Sequence, residues 1–168
     1  MNDQNIQDLF YLVHDKSHII KPGTVSPEVE SLIKTFRTPQ TKTLYRGLCN
    51  QDVEFLDSMV TEGAAFKTFP GCLSFSEDGV IALKFAAGYK TDAILRVDCH
   101  EVENPPLGLD VCGALSKYVN RNDSGEMEML ELAQEESEWI FVRPRIFAFT
   151  KKKYPGGLTA YNAEIVTL

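Results

Sequence analysis

The chain has 168 residues, 43% of them hydrophobic and 24% charged, a composition ordinary for one soluble globular domain with a real core. The formal charge of −7 weighs against tight, nonspecific binding to a phosphate backbone, although a local basic groove stays open. No stretch reaches the length of a membrane span, and residues 1–5 lack the basic-then-apolar order of a secretory signal. The four cysteines, Cys49, Cys72, Cys99 and Cys112, include no C-x-x-C pair, so reduced, largely buried thiols are expected.

In chain order, Ile6, Leu9, Phe10 and Val13 recur at helical spacing, which predicts an amphipathic helix over Asp3–His14. His14 and His18 stand four apart, but Asp15 replaces the glutamate a zinc-protease motif needs, so a surface pair is expected. His100 has no identifiable partner, and no cluster has the spacing of metal ligands. Ser26-Pro27-Glu28 starts a second helix with Val29, Leu32, Ile33 and Phe36 on its apolar face, ended by Thr38-Pro39. Thr43-Leu44-Tyr45-Arg46-Gly47 reads as a strand. Asn50-Gln51-Asp52 caps a third helix, with Val53, Leu56 and Val60 on one side and Gly63 at its end.

Gly71-Cys72-Leu73-Ser74-Phe75-Ser76 is a short strand with Leu73 and Phe75 on one face and the two serines on the other. Glu77-Asp78-Gly79 opens a helix whose apolar face is read as Val80, Leu83 and Ala87, with Ile81 and Phe85 beside it and Gly88 closing it. Residues 93–97 form a buried strand. Asn104-Pro105-Pro106 begins a looser region running to about Gly125, and residues 126–134 fit either a short helix or a mobile segment. Strands follow at Glu138–Val142, at 145–151 and, after the turn Tyr154-Pro155-Gly156-Gly157, at 161–168. The expectation is one α+β domain over residues 1–168, with a helical part at 1–40 and then a mostly antiparallel sheet.

The chemistry concentrates in three places, each at a strand end. Glu136-Ser137-Glu138 stands at the mouth of an apolar run, where strand periodicity would project both carboxylates to one face. By itself this acidic run reads as a solvated face. Arg46-Gly47 and Ser74-Phe75-Ser76 change that reading. An arginine can fork onto a diphosphate, and a glycine lets backbone approach a flat ligand. A serine hydroxyl can bond a ribose or orient a carboxylate. Glu138 could then stabilise an oxocarbenium-like centre, the electrostatic logic of glycoside cleavage.

This ordered set resembles the mono-ADP-ribosyltransferases of the Arg–Ser–Glu class, which include arginine-modifying bacterial toxins and small phage enzymes. The pieces are Tyr45-Arg46-Gly47, then Ser74-Phe75-Ser76 with Ala82 and Phe85-Ala86, then Glu136-Ser137-Glu138-Trp139-Ile140, over Leu44 to about Phe149. Phe75 stands where the family more commonly has threonine. The resemblance implies an ADP-ribosyltransferase-like fold with N-terminal helices packed on a split sheet, and NAD as co-substrate. It implies that Arg46 contacts the NAD phosphate and ribose side, and that Gly47 bonds the nicotinamide carboxamide through its backbone. Tyr45 and Phe85 would belong to the same NAD site. Ser74 would position Glu138 or the nicotinamide ribose, Ser76 would brace the site, Glu138 would be the catalytic glutamate, and Glu136 would orient or deprotonate the acceptor.

Residues 121–135 occupy the place of the family's substrate-recognition loop. Glutamate at position 136 goes, in the family, with transfer to a protein arginine. The alternatives are transfer to RNA or DNA, for which Arg121, Arg143, Arg145 and Lys151-Lys152-Lys153 could supply a basic channel, and an NAD hydrolase or NAD-binding module without transfer. The compact size fits a cytoplasmic phage or bacterial effector or toxin, with an antitoxin or inhibitor as a further expected partner.

Overall fold

The structure is a computed structural model that describes residues 3–16, 20–21, 23–99 and 103–167. His18 and His100 lie outside the described residues. Helix α1 (Asp3–His14) buries Leu9 and Leu12, but beside them it buries Asn5 and Asp8 rather than Ile6 and Val13. Asn5 meets α2 (Pro27–Phe36) in a polar seam, where Ser31 Oγ donates to Asn5 Oδ1 at 3.0 Å, and Asp8 accepts from Gln4 Nε2 one turn back in α1 at 3.0 Å. Ser26 caps α2 as its sequence predicts, accepting from Val29 N at 3.3 Å.

Helix α2 runs directly into a short strand, β1 (Arg37–Pro39), followed by β2 (Thr43–Gly47) and α3 (Asn50–Glu62). The N-cap of α3 is Cys49, one residue before the predicted cap, and Gly63 ends the helix in the left-handed region at φ 65°. Strands β3 (Phe66–Thr68) and β4 (Cys72–Ser76) precede α4 (Gly79–Tyr89), which Asp78 caps. Helix α4 runs through Gly88 and is closed by Lys90 at φ 58°. Strand β5 is Ala93–Asp98.

The region read as loose is in part ordered into β6 (Leu107–Asp110) and the one-turn helix α5 (Val111–Leu115), with Asp110 Oδ1 accepting from Gly113 N at 3.0 Å. The ambiguous segment is a full helix, α6 (Ser124–Glu136), capped by Asp123. Residues 121–135, expected as a recognition loop, are therefore mostly helical. Strands β7 (Glu138–Val142), β8 (Arg145–Lys153) and β9 (Thr159–Val166) complete the chain. With α5 and α6 in its second half, the chain interleaves helix and strand instead of exhausting its helices first.

The described strands form one sheet in the order β1-β6-β7-β4-β2-β5-β9-β8-β3. Every ladder is antiparallel except β5 with β9. Strand β7 is buried on both faces. Trp139 and Phe141 join a core with Leu44, Leu73, Phe75, Leu95 and Tyr161, while Ile140 joins a second core with Leu9, Leu32, Leu109 and Leu115. The second cluster seats the N-terminal helices on the β6–β7 side of the sheet.

The predicted face of α4 is wrong. Val80 and Leu83 are exposed, and the helix buries Ala82 and Ala86. Small residues let α4 lie close against β2 at Gly47. A Cβ at Gly47 would fall 2.6 Å from the Ala86 amide nitrogen and 2.8 Å from Phe85 Cβ. The glycine is thus required by helix packing.

Candidate active site

Strands β2 and β4 are joined by the single register pair Tyr45–Ser76. Beyond it they separate, and a cleft of about 550 Å³ opens there, within the usual range for small-molecule sites. All eight residues singled out from sequence line it: Tyr45, Arg46, Gly47, Ser74, Ser76, Phe85, Glu136 and Glu138.

Ser76 sits opposite Glu138 in the β4–β7 ladder, and Ser74 is two residues back on the same face. Ser74 Oγ donates to Glu138 Oε2. The same oxygen accepts from Lys16 Nζ, just past the end of α1. Glu138 is 5% exposed, so its carboxylate is fixed in the wall of the cleft by these two donors. Ser76 serves the backbone instead. Its hydroxyl donates to the Glu136 carbonyl at 2.6 Å and accepts from Asp78 N at 3.0 Å, tying the end of α6 to the start of α4.

The two glutamates are not a strand pair. Glu136 is the last residue of α6, Ser137 turns through the left-handed region at φ 46° and ψ 48°, and only Glu138 belongs to β7. The carboxylates share the cleft because a helix end meets a strand start there. Burial pushes the Glu136 pKa above the ordinary carboxylate value; Lys16 opposes the rise, while Glu138 and Glu135 add to it. A half-buried carboxylate with a raised pKa is a stronger base than an exposed one, which suits proton removal from an acceptor.

Arg46 is held by the protein rather than left free. Its Nε and Nη2 donate to Asp52 Oδ2 at 3.2 and 2.9 Å, and Nη1 donates to the Ser74 carbonyl at 3.0 Å across the gap between β2 and β4. These bonds use three of the five guanidinium N–H groups, leaving two to meet an anion in the cleft. Asp52 is 5% exposed and also accepts from Cys49 N at 3.3 Å. The sequence marks Asp52 only as a helix-start residue and gives no sign of Lys16. Nothing local distinguishes either one, because their partners lie in other elements.

Phe85 and Tyr89 are half exposed and line the cleft one turn apart on α4, so Phe85 is a cleft wall and not core. Tyr89 carries no motif that would have pointed to it. Cys72 lines the cleft, but burial raises its thiol pKa to about 11, which keeps it protonated and poorly nucleophilic. Arg121, Arg143, Arg145 and Lys151-Lys152-Lys153 do not line the cleft. Arg143 pairs with Glu30 at 3.2 Å and Lys151 with Asp57 at 3.1 Å. Among the described residues no three His, Cys, Asp or Glu side chains are grouped as a metal would require, and no helix is long and apolar enough to cross a membrane.

Comparison with solved structures places this architecture. The chain is similar to a C3-type ADP-ribosyltransferase from Clostridium botulinum, with a TM-score of 0.57 and 12% identity, over 99% of this chain and 88% of that one. This is an ADP-ribosyltransferase fold. Exoenzyme S from Pseudomonas aeruginosa, solved with human 14-3-3 protein beta and carba-NAD, shares the ADP-ribosyltransferase fold. It matches at a TM-score of 0.54 and 15% identity, over 97% of this chain and 74% of that one. An ADP-ribosyltransferase of Pseudomonas syringae pv. Tomato matches at 0.52 and 12%, over 83% of this chain, which spans about half, 51%, of the Pseudomonas syringae chain. No protein-family model and no curated protein sequence matches the chain.

Proposed function

We propose that the protein is an NAD-dependent mono-ADP-ribosyltransferase that acts on a protein arginine. The observation that carries this reading is the buried Glu138 carboxylate, gripped by Ser74, in a cleft it shares with Glu136 and Arg46. In the proposed reaction the bond between nicotinamide and ribose breaks and nicotinamide leaves with the electron pair. Glu138 stabilises the cationic ribose centre electrostatically. A guanidinium nitrogen of the acceptor then bonds to that carbon and gives its proton to Glu136, whose raised pKa fits it for the task. Arg46 offers its two remaining N–H groups to the diphosphate, and Phe85 and Tyr89 offer flat apolar surface.

The cationic acceptor is supported by the surroundings of the pair. The outer face of α6 exposes Glu128, Glu131 and Glu135 just before Glu136, and the whole chain carries −7, a field that attracts basic protein surfaces. Transfer to nucleic acid has less support, because the basic residues that could form its channel are not among those lining the cleft.

The test incubates the purified protein with labelled NAD and an arginine-rich protein mixture, and separately with RNA and with DNA, alongside Glu138→Gln. Label on protein that disappears in the variant supports the reading. Label on nucleic acid, with steep salt dependence, would keep the chemistry and change the acceptor. Nicotinamide release without label would indicate an NAD hydrolase. The absence of both label and nicotinamide release in every mixture would overturn the enzyme reading.

A further inference from the structure

We propose that Lys16 is an internal competitor for the NAD site, holding the Glu138 carboxylate in the ligand-free protein until the substrate evicts it. The inference rests on the functional reading above and adds a control on access to the site. Lys16 and Glu138 are 122 residues apart, so their contact is not a by-product of local chain geometry. The ammonium takes the very oxygen, Oε2, that also receives the Ser74 hydroxyl. With two donors on it, that oxygen is filled, and only Oε1 of the carboxylate stays open to a ribose hydroxyl.

The two partners are unequally anchored. The Glu138 side chain is 7% exposed and belongs to a strand paired on both sides, whereas the Lys16 side chain is 37% exposed. Lysine's long stem makes it the partner that can leave. When the ammonium leaves, the buried carboxylate keeps the Ser74 hydroxyl as a donor, so it is not left without a partner. The ammonium also acts on Glu136, opposing the rise of its pKa, so it lies within the field of both carboxylates. Ile20, Lys21 and Gly23 from the same stretch of chain line the cleft, and Gly23 packs against the turn before β4, its Cα 3.3 Å from where a Gly71 Cβ would stand. Ile20, Lys21 and Gly23 thus form part of the cleft wall beside Lys16.

A competitor lowers apparent affinity by the fraction of molecules in which the site is free. Lys16→Met keeps the length and apolar stem of the side chain and removes the charge. Calorimetric titration with carba-NAD, which separates binding from turnover, should show roughly two- to fivefold tighter binding in Lys16→Met than in wild type at low salt. The gap should narrow as salt screens the wild-type pair. Lys16→Arg, which keeps the charge, should bind no more tightly than wild type. In wild type, amine acylation read by mass spectrometry should label Lys16 faster when carba-NAD saturates the protein. Equal or weaker binding by Lys16→Met, or labelling of Lys16 unchanged by saturation, would overturn the inference and leave the functional reading standing. Absence of carba-NAD binding to both proteins would overturn the functional reading, and the inference with it.

Discussion

Ser74 and Glu138 lie diagonally across the β4–β7 ladder, and the serine hydroxyl donates to the glutamate's Oε2 inside the cleft. This bond fixes the orientation of the buried carboxylate of the site. A hydrogen bond to a charged group is worth about 1.5–3 kcal/mol. Ser74→Ala should therefore lower kcat by about ten- to a hundredfold, with a smaller change in KM for NAD. Glu138→Gln should lose at least about a hundredfold, the scale of removing a principal electrostatic stabiliser. Nicotinamide release measured on both variants, with circular dichroism to confirm folding, checks the pair.

Asp52 holds Arg46 by two hydrogen bonds and is itself almost fully buried. Removing it leaves a largely buried guanidinium without its counter-charge. Asp52→Ala should cost about 2 kcal/mol of stability, below the fully buried case because Arg46 keeps its bond to the Ser74 carbonyl. Since Arg46 is the proposed diphosphate contact, KM for NAD should rise more than kcat falls. Asp52→Asn, which preserves shape and one acceptor oxygen, should recover most of the loss. Denaturant unfolding and steady-state kinetics separate the two effects.

Gly47 tests the packing of α4 on β2. A methyl group there meets the backbone at Ala82 and Ala86, which cannot swing aside as a side-chain tip would. Gly47→Ala should destabilise the protein by about 1–3 kcal/mol through overpacking and displace Phe85 from the cleft wall. Thermal unfolding measures the first effect and carba-NAD affinity the second.

Glu136 gives a pH signature. Its folded pKa is raised, chiefly by burial, so its contribution to stability is fully present below the unfolded carboxylate pKa and is lost as pH rises through the folded value. Glu136→Gln, a mimic of the protonated form, should be more thermostable than wild type at neutral pH and indistinguishable from it in acid. In wild type, the acidic limb of the transfer rate should sit above the ordinary glutamate pKa of about 4.3. A thermal-shift series from acid to neutral pH, with a pH–rate profile, decides both points.

Local sequence determined a good part of this protein. The Ser26-Pro27 start, the Gly63 stop, the alternation of Leu73 and Phe75 with Ser74 and Ser76, and the apolar run after Glu138 each act over a few residues, and each appears where expected. The eight candidate residues could be singled out because their types and order resemble one family's pattern, and all eight line the cleft. Tertiary structure decided the rest. Helix α4 is apolar on several faces, so periodicity favoured its larger residues. Close packing on Gly47 instead buried its small ones. The Glu-x-Glu pair looked like one strand because the left-handed turn at Ser137 has no distinctive residue to mark it. Strand β6 and helix α5 were read as loose because four residues of one and five of the other are too short to show a period. Lys16 and Asp52 belong to the cleft only through contacts made in space. A one-dimensional pattern records which groups can react, but which of them are neutralised, gripped or occluded depends on the fields and neighbours that only the folded chain brings together.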